Sequence, residues 1–291
     1  MKRIAPIFII LFLVSCGSRK RVTDTTSKAV SEVHSSKDTL IKDVKSIKEN
    51  GVISDSINVE NEVKPLPEKQ EKPETSLEFF NHSLWNSLLK QLVSEKGNVD
   101  YNGFIQQRRT LSNYITSLSD HIPDETSSRA YVLAYWINAY NAMTIDLIIR
   151  HYPLQSIKDI EKPWDQRHWK LGEKWYNLNE IEHQILRKMN EPRIHFAIVC
   201  ASYSCPKLIN RAFTADNLEL ELTRATEDFL SDASKNNIAE NHLELSKIFQ
   251  WFAKDFKQDG SLIHFLNQYS KIRISEKAKK RFKPYNWDLN D

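Results

Sequence analysis

The stretch Tyr131-Val132-Leu133-Ala134-Tyr135-Trp136-Ile137-Asn138-Ala139-Tyr140-Asn141-Ala142-Met143 is apolar on most sides. A helix with one apolar stripe can lie on a surface, whereas one that is apolar nearly all round has to be enclosed. The rest of the domain must therefore wrap this segment. Ser127 or Ser128 can cap a long helix running toward Arg150, and Pro153 blocks its continuation. Asn138 and Asn141 stand three residues apart and share a face. A buried amide without partners costs on the order of a few kcal/mol. The pair can orient a histidine, bind a substrate amide, stabilise an oxyanion, or satisfy the backbone of a neighbouring loop.

Elsewhere the helical period dominates. Leu77–Val93 reads as a helix with Phe79, Leu84, Trp85, Leu88, Leu89 and Leu92 on its apolar side, and a second helix is expected over Phe104–Leu118. His168–Leu171 and Lys174–Asn177 flank Gly172-Glu173 as a small hairpin. Asn179 with Glu182 fits a capping box for a helix through Met189. Ile194–Cys200 is the best central strand, and His242–Leu245 a further strand. Helices are expected near Ala215–Ser231, over Lys247–Phe256 with Ser246 as cap, and near Leu262–Tyr269. The pattern predicts a helix-rich α+β single domain with a small central sheet.

The first residues are of another kind. Met1-Lys2-Arg3 is short and positive, and an apolar run from Ile4 to Val14 follows, broken only by Pro6. That run is shorter than the roughly 20 residues a spanning helix needs, so it reads as a secretory signal over residues 1–15. Leu13-Val14-Ser15-Cys16 resembles the lipobox of bacterial lipoproteins. The resemblance implies cleavage before Cys16, lipidation of Cys16, and a membrane partner reached through that lipid. The absence of Asp at position 17 resembles the outer-membrane sorting pattern, which places the chain in the bacterial cell envelope facing the periplasm. The competing reading is an ordinary signal cleaved near Ser15. Residues 17–76 hold no aromatic residue and include the proline-broken piece Lys64–Pro73. Such a segment cannot bury enough apolar surface to offset its ordering cost, so residues 16–76 read as a lipidated start and polar tether. A part-formed helix near Lys37–Lys48 is the alternative there. Residues 77–291 carry all seven tryptophans, enough for one sizeable core.

Removing residues 1–15 takes away Lys2 and Arg3, so the formal charge falls from +3 to +1. A near-neutral chain gives no electrostatic case for a nucleic-acid partner. Six glycines leave little material for a phosphate loop, and no cofactor motif is present.

The chemistry-bearing residues cluster at His195-Phe196-Ala197-Ile198-Val199-Cys200-Ala201-Ser202-Tyr203-Ser204-Cys205-Pro206. On a regular strand His195 and Cys200 point to opposite faces, so a bulge or the turn after Ala201 would have to aim a thiol back. A thiol nucleophile needs a base within reach; His195 or His183 can supply it, with Asn138, Asn141 or Glu182 holding the imidazole. A Cys200–Cys205 disulfide is the rival reading in an oxidising compartment. The spacing matches no familiar zinc pattern, so no metal is assigned. His183 and Arg187 share a helix face; Arg187 and Arg193 are candidates for an anionic substrate group.

The blocks Tyr135–Ala142, Tyr152–Ile160, Leu178–Arg187, Pro192–Ser202, Ser204–Pro206, Leu245–Trp251 and Tyr285–Asn290 resemble the family catalogued as domain of unknown function 547. The family looks distantly similar to the papain and transglutaminase group. That resemblance implies a degenerate core of the same kind, with the Asn138 helix where such enzymes carry their cysteine and His195 as the histidine opening the core strand. No cysteine stands on the Asn138 helix, so the resemblance implies either a relocated thiol or a non-catalytic site for an envelope peptide or protein.

Overall fold

The long apolar segment folds as expected, and everything else is arranged around it. A computed structural model describes residues 80–291. The signal, Cys16, the tether and residues 77–79 of the first expected helix lie outside the described residues.

Three helices precede the central one: α1 (Ser83–Leu92), α2 (Tyr101–Gln106) and α3 (Arg108–Ser117). The single helix expected over 104–118 is broken at Gln107. Asp100 caps α2 by accepting from the Gly103 N–H at 2.8 Å, so the helix starts earlier than the apolar pattern indicates. Leu84, assigned to the apolar side of α1, is exposed.

Helix α4 (Arg129–His151) is buried from Leu133 through Ile149. Ser128 is its cap and accepts from the Tyr131 N–H at 3.2 Å. The helix is long and apolar enough to cross a membrane, but 94 % of the qualifying window is buried inside the domain, so it is the core helix. Asp146 on α4 accepts from the Trp169 indole N–H at 2.8 Å and pairs with Arg150 at 2.7 Å. This anchors the hairpin of β1 (Trp169–Leu171) and β2 (Lys174–Tyr176) to the helix.

The expected capping box at Asn179 does not form. Asn177 caps instead, accepting from the Glu180 N–H at 2.8 Å, and starts α5 (Leu178–Glu180). The chain then widens into a π-helical turn, Ile181–Ile185, and tightens into a 3₁₀ turn, Leu186–Met189.

The expected central strand Ile194–Cys200 is likewise absent. Pro192–Phe196 is a 3₁₀ turn and the following residues are irregular. The apolar run was read correctly as buried, but its backbone finds partners without a sheet. The Asn141 amide donates to the Ala197 carbonyl at 2.9 Å and accepts from the Val199 N–H at 3.0 Å. A side chain thus supplies what a neighbouring strand would. Ile194 and Ala197 pack into the cluster around α4, while Phe196 packs with Phe229, Phe249 and Phe265 in a second cluster.

That second cluster lies among α6 (Leu218–Ser231), β3 (Asn237–Ala239), β4 (His242–Leu245), α7 (Ile248–Trp251), α8 (Leu262–Tyr269) and β5 (Lys279–Phe282). Strand β4 is central, antiparallel to β3 and parallel to β5. The helix expected over 247–256 stops at Trp251, and a 3₁₀ turn at Asp255–Lys257 follows. The architecture is a helix-rich α+β single domain with a small, non-closed sheet.

Replacing Asn141 by Leu strands a buried carbonyl and a buried N–H. Urea unfolding should then show a stability loss of about 3 kcal/mol with the slope nearly unchanged. A loss under about 0.5 kcal/mol would show that the 197–199 backbone does not depend on the amide.

Candidate functional site

Three irregular segments and the C-terminal tail meet over α4 and enclose a cleft of about 380 Å³. Tyr140 of α4 forms its floor, with Glu182 and His183 from the π turn, His195 from the 3₁₀ turn, and Cys200 and Cys205 from the following loop. Trp251 and Phe252 with Tyr285 and Trp287 supply an aromatic wall. The Trp251 and Trp287 rings stack at 5.8 Å, and Tyr285 packs on both at 4.8 and 4.6 Å.

The turn after Cys200 is what brings sulfur to the cleft. Ala201 takes a positive φ of 55°, and the Cys205 N–H closes a turn onto the Ser202 carbonyl at 2.9 Å. The two sulfurs are free thiols 3.1 Å apart. Cys200 Sγ also lies 3.1 Å from the Ser202 hydroxyl and 3.3 Å from the Tyr285 hydroxyl. Ser202 and Tyr285 are themselves 3.0 Å apart, so the one Ser202 hydrogen serves either the Tyr285 oxygen or the sulfur. The hydrogen bond with Cys205 leads in lowering the Cys200 thiol to about 7, against the opposing effect of burial, and Ser202 and Tyr285 add to it. Burial and the neighbouring sulfur hold Cys205 well above the usual thiol range.

A charged chain reaches the same cleft through His195. The Arg187 guanidinium grips Asp255 with two bonds of 2.6 and 2.8 Å, and His195 Nε2 lies 2.8 Å from the same carboxylate. Burial alone would raise Asp255, but its bonds to Arg187 and His195 prevail and hold it well below the ordinary carboxylate range. An ionised Asp255 only accepts, so His195 carries its proton on Nε2 and keeps its lone pair on Nδ1. Burial, helped by the nearby charges of Arg187 and His183, outweighs the raising effect of Asp255 and shifts His195 below the ordinary imidazole range, which favours the neutral ring. Phe252 stacks on the imidazole at 3.9 Å. His183 Nδ1 sits 3.0 Å from an Arg187 N–H; since guanidinium only donates, the His183 proton is on Nε2.

Glu182 lies among the cleft groups and is buried. Burial raises its carboxyl to about 7; the Tyr140 hydroxyl, donating at 3.1 Å, offsets this only in part, and negative charge on Cys200 adds to it. The cleft therefore holds a thiol and a carboxyl that both change charge near neutrality.

The residues singled out from sequence divide into two sets. His183, His195, Cys200 and Cys205 line the cleft. Asn138 and Asn141 do not: Asn138 donates to the Phe213 carbonyl at 2.7 Å and accepts from the Phe213 N–H at 3.1 Å, and Asn141 does the same for residues 197 and 199. Of the readings left open for them, loop support is the one their bonds fulfil. Arg187 stands behind the wall, occupied by Asp255, and Arg193 is taken up by Glu191, Glu219 and Thr223. Asp255 and Tyr285 were missed. Each sits far along the chain from its partner, and no local pattern marks either one. Among the described residues no cluster of His, Cys, Asp and Glu has the makings of a metal site.

The family described as "Protein of unknown function, DUF547" matches residues 123–230. The matched span runs from the approach to α4 through nearly all of α6, so it contains Tyr140, Glu182, His195, Cys200 and Cys205. Asp255 and the aromatic wall from α7 and the tail lie beyond it. Neither the curated proteins nor the solved structures include a match to this chain.

The raised Glu182 has a consequence for stability. A carboxyl whose folded pKa exceeds its unfolded one contributes fully below the unfolded value and loses that contribution as pH rises through the folded value. Between about pH 4.5 and 7 this chain should lose a few kcal/mol relative to Glu182→Gln. Thermal or urea unfolding of both proteins at pH 5 and pH 8 measures it; parallel pH curves would show that Glu182 ionises normally.

Proposed function

We propose that the domain is a cysteine-dependent hydrolase or acyl-transfer enzyme acting on an amide or ester, with Cys200 as nucleophile. One observation carries this reading: a thiol drawn to about 7 opens on the same cleft as a neutral histidine held by a carboxylate. Such a thiol is substantially ionised at neutral pH without a base at the sulfur. Attack by the thiolate on a substrate carbonyl forms a tetrahedral oxyanion and then a thioester, releasing the amine or alcohol. His195, whose Nδ1 lone pair is free of Asp255, is the group assigned to activate the water that hydrolyses the thioester. Glu182, titrating near 7, is assigned to deliver the proton to the leaving group. Asp255 and Arg187 position the imidazole. The thiol is relocated from the long helix to the loop after the 3₁₀ turn, which accounts for the absence of cysteine on α4. The likeness to a degenerate papain or transglutaminase core belongs to this reading.

A second reading, a non-catalytic envelope module for a peptide or protein ligand, is favoured by one specific contact pattern. His195 gives Nε2 to Asp255, while Cys200 Sγ bonds Cys205, Ser202 and Tyr285. The two readings part on one experiment. Mixed with an activated ester such as p-nitrophenyl acetate, the hydrolase forms an acetyl adduct on Cys200, seen by mass spectrometry. Its formation rate follows an apparent pKa near 7. Cys200→Ala should abolish the adduct, and His195→Ala should leave the acylated form long-lived by slowing turnover at least about 100-fold. A domain that never acylates at Cys200 is the binding module.

Residues 1–15 are removed, Cys16 carries lipid, residues 16–76 act as a tether, and the domain is held at the outer membrane facing the periplasm. The anchor is inferred from the short positive start, the apolar run and Leu13-Val14-Ser15-Cys16. Expressed in a bacterium, the chain should fractionate with membranes, lack residues 1–15 and show acyl chains on its residue 16 by mass spectrometry, and Cys16→Ala should carry no acyl chain and keep residues 1–15. Exported chain whose Cys16 carries no acyl chain would overturn the anchor.

A further inference from the structure

A hydrolase nucleophile has no need of a second sulfur at its side, yet Cys205 is held against Cys200. The two are placed unequally. Both line the cleft, but Cys200 is half-buried and Cys205 is buried. The Cys200 backbone N–H points at Cys205 Sγ at 3.0 Å, fixing the second sulfur relative to the first. The loop between them is braced from outside by the tail. Tyr203 and Ser204 donate their N–H groups to the Asp288 and Asn286 carbonyls at 2.6 and 3.1 Å, and Asn286 donates back to the Ser204 hydroxyl at 2.9 Å. With the sulfurs 3.1 Å apart, bonding them needs an approach of about 1 Å, which side-chain rotation within a braced loop can supply.

We propose that Cys200 and Cys205 form a dithiol–disulfide exchange centre that takes a small organic disulfide as its oxidised co-substrate, Cys200 attacking and Cys205 resolving.

The cycle balances. The Cys200 thiolate attacks one sulfur of R–S–S–R; the Cys200–S–S–R bond forms, the R–S–S–R bond breaks, and the departing thiolate is protonated by water. Cys205 then attacks Cys200 Sγ, expelling the second thiolate, which leaves with the proton that Cys205 gives up. Two electrons pass from the protein pair to the disulfide, and two RSH are released. The order follows from the placement: the less buried, more acidic thiol meets the disulfide first. Part of what holds Cys205 protonated is charge on Cys200, and the mixed disulfide removes that charge. The first step thereby activates the second. The aromatic wall and the cleft volume of about 380 Å³ suit a small R–S–S–R. In the closed disulfide Cys200 is no longer a nucleophile, so acyl transfer stops; this consequence rests on the hydrolase reading, whereas the exchange chemistry does not.

The test uses the full chain carrying Cys16→Ser, which leaves Cys200 and Cys205 as its two cysteines. The reduced protein is mixed with oxidised glutathione, quenched by acid, alkylated and weighed. The expected product is the intramolecular disulfide with no adduct retained. With Cys205→Ser added, a glutathione adduct should remain on Cys200; with Cys200→Ser, adduct formation at pH 7 should slow at least about tenfold. A stable mixed disulfide on the chain with both thiols, or an adduct placed first on Cys205, would overturn the proposal. The unmutated pair alone decides it, whatever the variants' folding. Ester turnover by the reduced protein is read in parallel. Its absence with normal disulfide closure removes the hydrolase reading only, and its presence with a persistent mixed disulfide removes the exchange centre only.

Discussion

The two amides of α4 are the contacts on which the site depends. Asn138 pairs with both backbone groups of Phe213, and Asn141 spans Ala197 and Val199. A buried backbone group without a partner costs on the order of 1–3 kcal/mol, so these loops are tied to the helix rather than merely resting on it. The tie at 197–199 fixes the chain between His195 and Cys200. It allows an irregular segment, with its freedom to turn at Ala201, to exist in the interior. A regular strand there would have sent the imidazole and the thiol to opposite faces.

The chemistry of the cleft follows from how burial and hydrogen bonding compete at each group. Glu182 has one hydroxyl donor and little else, so burial prevails and the carboxyl stays protonated to near neutrality. Asp255 is also buried, but a guanidinium and an imidazole bond it directly, and it stays ionised. Cys200 has hydrogen-bond partners in Cys205, Ser202 and Tyr285 and is drawn down, while the more deeply buried Cys205 is pushed up. Similar groups a short distance apart thus hold different charges because their neighbours differ.

Much of the local structure was legible beforehand. Ser128, the α4 span and Pro153 were readable because capping and helix termination are short-range. The hairpin over 169–176 and the helix Leu262–Tyr269 were legible for the same reason. The failures have a common cause. The run 194–200 has a strand's composition, yet composition reports burial, and a side-chain amide elsewhere took the place of the ladder. The π turn over 181–185 shows no period of its own in so short a stretch, so Glu182 read as a cap partner when it is a buried cleft group.

For the site, the sequence by itself determined the inventory: a nearly enclosed helix with two amides, a histidine five residues before one thiol, and a second thiol five residues after it. Patterns of this kind depend on neighbours along the chain, and these were close enough to read. Only the tertiary structure decided which groups act together. Asp255 reaches His195 across sixty residues and Tyr285 reaches Cys200 across eighty-five. Nothing local encodes such meetings, because they follow from how separately formed segments pack against one buried helix and against the returning tail.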